Sequence, residues 1–75
     1  MKLNNEKIMI LLAEKRMFIK DLCTEAGVSE TAFKKMREGK RIPRTATVGR
    51  IANALGVGVR EIIQEGDSVD GRMEG

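Results

Sequence analysis

The chain has 75 residues, one Cys, no His, and 14 Lys+Arg against 11 Asp+Glu for a formal net charge of +3. Chains of this size bury only about 60% of the surface they expose when unfolded, which leaves room for one core and no second domain. The absence of His together with a lone Cys23 excludes a Ser-His-Asp triad, a thiol-imidazole pair, an ordinary zinc site and a disulfide framework, and fits a reducing, cytoplasmic setting.

The +3 is unevenly placed. Lys34, Lys35, Arg37, Lys40, Arg41, Arg44 and Arg50 stand against the single Glu38 between positions 34 and 50, whereas Asp67, Asp70 and Glu74 outweigh Arg72 at the end. The basic centre suits a phosphate backbone, although such runs also occur as plain solvated surface.

The first element opens on Asn4-Asn5 as N-cap and carries Ile8 and Leu11 at helical spacing, giving a helix over about residues 5–16. Met9, Ile10 and Leu12 widen its apolar surface beyond one face, so it is either deeply buried or meets another subunit around Ile10. The run Ile8 to Ala13 is far short of the roughly 20 residues that cross a bilayer, and its flanks are not those of a signal peptide.

A second helix follows over 18–26, with Ile19, Leu22, Cys23 and Ala26 on one stripe and Gly27 closing it in the left-handed conformation. Cys23 on that stripe reads as a small core filler rather than a redox sensor. Ser29 as N-cap and Gly39 past the end bracket a third helix of about 30–38. Its Ala32, Phe33 and Met36 share a dry face, and Glu30, Thr31, Lys34, Lys35 and Glu38 a polar one that is the right width for a major groove.

After the loop Lys40-Arg41-Ile42-Pro43-Arg44, Thr45 or Thr47 is expected to cap a fourth helix carrying Val48, Ile51, Ala52 and Leu55 and stopped by Gly56. Gly58 then precedes a short fifth helix over 59–64, and no strand pattern occurs. Residues 1–65 form the expected domain, and 66–75 a flexible acidic tail.

Between the second and third helices, Cys23, Gly27, Val28 and Ser29 meet the needs of a tight turn in order. These are a small residue where the helices approach, a residue tolerating positive φ, an apolar plug and a cap. With Asp21-Leu22-Cys23, Ala26-Gly27-Val28-Ser29, Phe33, Met36, Gly39-Lys40, Pro43, Ile51-Ala52-Asn53-Ala54-Leu55-Gly56-Val57 and Glu61-Ile62-Ile63, residues 5–65 resemble the Cro/repressor-type (lambda-repressor-like, xenobiotic-response-element) helix-turn-helix domains.

The resemblance implies an all-α, compact five-helix fold that binds double-stranded DNA through its third helix, frequently as a homodimer. By that resemblance Ser29, Glu30, Thr31, Lys34 and Lys35 are the base-reading candidates, and Lys40 and Arg41 contact the DNA backbone from the loop. Lys20 and Arg44 complete the phosphate-contact candidates. Chemically, Lys34 or Lys35 can donate to guanine, Thr31 can meet a phosphate or thymine methyl, and Glu30 can accept from cytosine N4.

Two positions depart from the family. Phe18-Ile19 stand where members usually carry Thr or Ser followed by Gln, which removes a polar cap and a phosphate contact. Glu30 brings negative charge near DNA, implying weaker or more selective binding. A second reading is a protein-interaction module of the same fold that uses Met9, Ile10 and Ile42. An enzyme is not expected, because general acid-base chemistry needs a positioned titratable pair and the acidic residues fall on expected solvent faces. No cofactor, metal or membrane partner is expected.

Overall fold

A computed structural model describes residues 1–64. Among them the chain forms α1 (Asn5–Lys15), α2 (Ile19–Ala26), α3 (Glu30–Arg37) and α4 (Thr45–Leu55), then a 3-10 turn at Val59–Glu61. The tail expected over 66–75 lies outside the described residues.

Each helix starts and stops for a local reason. Asn4 accepts from the Lys7 amide at 3.0 Å through Oδ1, and Ser29 Oγ accepts from the Ala32 amide at 3.0 Å, so the first and third helices have side-chain caps. Gly27 has φ 73°, and the Val28 and Gly27 amides donate back to Cys23 and Thr24 carbonyls at 3.1 and 3.3 Å, which turns the chain sharply between α2 and α3. Gly39, at φ 80°, does the same after α3, with Lys40 N–H donating to Lys35 C=O at 2.9 Å.

Several expectations about boundaries need correction: the second helix starts after Phe18, which is its N-cap, and the third ends at Arg37, with Glu38 as its C-cap. The first helix ends at Lys15, because Arg16 takes the left-handed conformation with φ 54° and its amide folds back on Ala13. The fourth helix has neither Thr45 nor Thr47 as its cap; Arg44, extended after the buried Pro43, is the N-cap and supplies no side-chain acceptor.

The expected fifth helix is a single 3-10 turn. The backbone past Glu61 is claimed by the opposite end of the domain. Asn4 N–H donates to Ile62 C=O at 2.8 Å, Gln64 N–H donates to Lys2 C=O at 3.0 Å, and Leu3 and Ile63 form an antiparallel bridge. A helix running to Gln64 would turn the Gln64 amide back to the Arg60 carbonyl and break the antiparallel bridge, leaving the Lys2 carbonyl and the Asn4 amide without these partners.

The core is one cluster drawn from all four helices and from Leu3, Ile62 and Ile63 outside them. Leu3, Ile8, Leu12, Leu22, Cys23, Ala26, Phe33, Met36, Val48, Ile51, Ala52, Leu55, Ile62 and Ile63 are all buried, and no buried polar residue interrupts them among the described residues. Helix α2 packs on both α4 and α3. The helix-turn-helix is therefore held from behind by α4, with its outer surface left open.

Candidate nucleic-acid interface

Helix α3 has two unlike sides because its apolar residues recur at helical spacing. Phe33 and Met36 are buried, while Glu30, Thr31, Lys34, Lys35 and Glu38 are exposed together on the other side. The exposed N-cap Ser29 stands at the start of the same surface. The five base-reading candidates thus lie on one short helix and its cap, with no side chain spent on the core.

Glu30 has an explanation within the fold. It occupies the first turn of α3, where a carboxylate is favoured by the partial positive charge of the helix N-terminus. Lys34, Lys35 and Arg37 occupy the last turn, where cations are favoured for the converse reason. Charge along α3 therefore stabilises the helix as well as setting its surface.

The phosphate-contact candidates Lys20, Lys40, Arg41 and Arg44 are all exposed. Arg41 and Arg44 line a shallow depression with Met36, Ile42, Pro43 and Thr47, which brings both guanidinium-bearing side chains to the loop beside the end of α3. Lys40 Nζ pairs with Glu38 Oε1 at 3.3 Å in an open surface bridge. Lys20 sits apart from them, in the first turn of α2, where its carbonyl accepts from Thr24 Oγ1 at 3.0 Å.

Arg37 is separated from the other cations of the basic run. Its guanidinium lies 4.9 Å from the centre of the Phe33 ring and donates to Asn5 Oδ1 at 3.1 Å, so it fastens the end of α3 to the start of α1. Nothing local in the sequence marks it out from Lys34 or Lys35; its position on the helix, one turn beyond Phe33, is the available signal.

The start of α2 shows the consequence of Phe18. This N-cap has no side-chain acceptor and is 76% exposed. Asp21, three residues into the helix, compensates by accepting from the Phe18 amide at 3.3 Å. The amide is satisfied, but by a carboxylate that opposes a phosphate at the same place. Cys23 lies inside the core, where burial pushes its thiol above the ordinary value, with Glu30 adding to the shift and Arg37 partly opposing it.

A tight glycine turn joining two short helices, the second with a buried and a polar side, backed by a third helix, defines a helix-turn-helix DNA-binding domain. The family assignment is correspondingly direct. Residues 7–64 match the Cro/C1-type HTH DNA-binding domain, and the chain belongs to that family. The fold is also that of the restriction-modification controller protein C.AhdI from Aeromonas hydrophila, with a TM-score of 0.68, 19% identity, and coverage of 76% of this chain and 86% of that one. No curated protein matches the sequence.

Proposed function

We propose that the protein is a sequence-specific double-stranded-DNA-binding transcriptional regulator of repressor type that acts in the cytoplasm as a homodimer, with α3 seated in the major groove. The observation that carries this reading is the two-sided α3: Phe33 and Met36 anchor it while Glu30, Thr31, Lys34 and Lys35 face solvent together. Ser29 joins them at the helix start, and Lys20, Lys40, Arg41 and Arg44 supply the phosphate contacts. Lys34 and Lys35 offer donors for guanine O6 and N7, and Glu30 an acceptor for cytosine N4. The likeness to a restriction-modification controller supports a role in regulation.

The test is a DNA titration at two salt concentrations with fragments from upstream of the protein's own gene. Binding that falls steeply with salt is expected, because each neutralised phosphate releases counterions. No binding at low salt overturns the proposal. The second reading, a protein-interaction module, draws on the exposure of Ile10 and Ile42, 54% and 55%, and the same negative result would favour it.

A further inference from the structure

Helix α1 buries Ile8 and Leu12 and turns the opposite stripe to solvent. On that stripe stand the half-buried Lys7 and the exposed Ile10 and Glu14. Lys7 and Glu14 are two helical turns apart, about 10 Å, so they lie nearly in line along the helix with Ile10 between them. Ile10 is 54% exposed and, with Lys7, Leu11, Arg60 and Glu61, lines a shallow groove between α1 and the 3-10 turn. Neither Lys7 nor Glu14 is in an ion pair among the described residues.

We infer that this stripe is the surface on which a second copy of the chain packs, α1 antiparallel to α1, with Lys7 of each copy against the partner's Glu14 and the two Ile10 side chains meeting beside the twofold axis. The inference rests on the reading of the regulator as a homodimer and adds the face and the register. A twofold interface is self-complementary, so each contact between two positions occurs twice. In the proposed register Lys7 faces Glu14 twice, on either side of the Ile10 contact. Sliding the helices by one residue sets Lys7 against Ala13 and Glu14 against Glu6, or Lys7 against Lys15 and Glu14 against Ile8. A parallel pair would set Lys7 on Lys7 and Glu14 on Glu14. The charges therefore select both orientation and register, with the twofold axis midway between Ile10 and Leu11. The stripe shares no residue with the candidate DNA contacts.

Sedimentation equilibrium without DNA tests it. The wild type is expected to show a concentration-dependent monomer–dimer equilibrium. Lys7→Glu and Glu14→Lys each turn both copies of the pair from attraction to repulsion, so each is expected to raise the dimer dissociation constant about ten- to a hundredfold. An equimolar mixture of the two variants, and the double variant Lys7→Glu/Glu14→Lys, are each expected to return to within about threefold of wild type, because opposite charges then face each other again. Rescue by mixing cannot arise from a folding defect, and far-UV circular dichroism of each variant confirms the helices. A wild type that stays monomeric at high concentration overturns the dimer. A dimer indifferent to both reversals, or reversals not rescued by mixing, overturns this face. Half-site DNA binding, measured separately on Lys7→Glu, fails only if the DNA-binding reading itself fails.

Discussion

The Glu38–Lys40 pair makes a quantitative prediction about the DNA interface. Lys40 Nζ lies 3.3 Å from Glu38 Oε1 on an open surface, and such pairs contribute about 0–1 kcal/mol to stability. Lys40 can therefore leave Glu38 for a phosphate at small cost. If Lys20, Lys40, Arg41 and Arg44 each neutralise one phosphate, the slope of log affinity against log salt is about −3.6 per protomer, or a loss of about 150-fold between 50 and 200 mM salt. Lys40→Ala should reduce the slope to about −2.7 and the loss to about 40-fold, weakening all sequences alike. Glu38→Gln frees Lys40 and removes a negative charge from the end of α3, so it should tighten binding while changing stability by less than about 0.5 kcal/mol. Fluorescence anisotropy titrations of one labelled duplex at several salt concentrations measure both effects. An unchanged slope in Lys40→Ala, or weaker binding in Glu38→Gln, would refute the placement of Lys40 on the DNA backbone.

Other substitutions probe the scaffold and the reading surface. Ser29→Ala removes the acceptor that caps α3 at Ala32 and should cost about 1 kcal/mol, lowering Tm by about 4–8 °C, whereas Ser29→Asp should keep the cap and the Tm. Phe18→Ser supplies α2 with a side-chain cap at a residue 76% exposed; a gain of about 0.5–1 kcal/mol in urea unfolding is expected, and any loss would show that the Phe18 ring has a packing role. Lys35→Ala should change the preferred DNA sequence in a binding selection, in contrast to Lys40→Ala; identical preferences would take Lys35 off the bases. The Cys23 thiol, raised by burial, stays protonated in the folded chain at pH values where the unfolded chain ionises. Stability linked to it is therefore present below the ordinary thiol pKa and lost as pH rises through the raised one, and alkylation at neutral pH should track unfolding. Rapid native-state alkylation would contradict the burial.

The parts of this molecule that were legible before its structure are those whose causes lie within a few residues. Asn4 and Ser29 act as caps, Gly27 and Gly39 adopt the left-handed conformation, and Cys23 packs in the core because each depends on its own helix or turn. The 3-10 turn was not legible, since what stops a helix at 59–64 is hydrogen bonding to residues 2–4 at the far end of the chain. Arg37 was hidden for the same reason: its partner Asn5 is 32 positions away. Within the candidate interface the pattern resolves a two-sided α3 and a basic loop, but the diversion of one cation inward emerges only when α3 meets α1. The use of Asp21 beneath Phe18 is by contrast a local contact, three positions apart, that the loss of the usual polar cap obscures.

The pairing of residues 2–4 with 62–64 also bears on how the chain acquires its shape during synthesis. Leu3, Ile62 and Ile63 are buried together, so a nascent chain that has released α1 to α4 but still holds Ile62 inside the ribosome has an open core, with Leu3 unable to find its neighbours. Closure waits for Ile62 and Ile63 to emerge, so the core closes as one event rather than helix by helix.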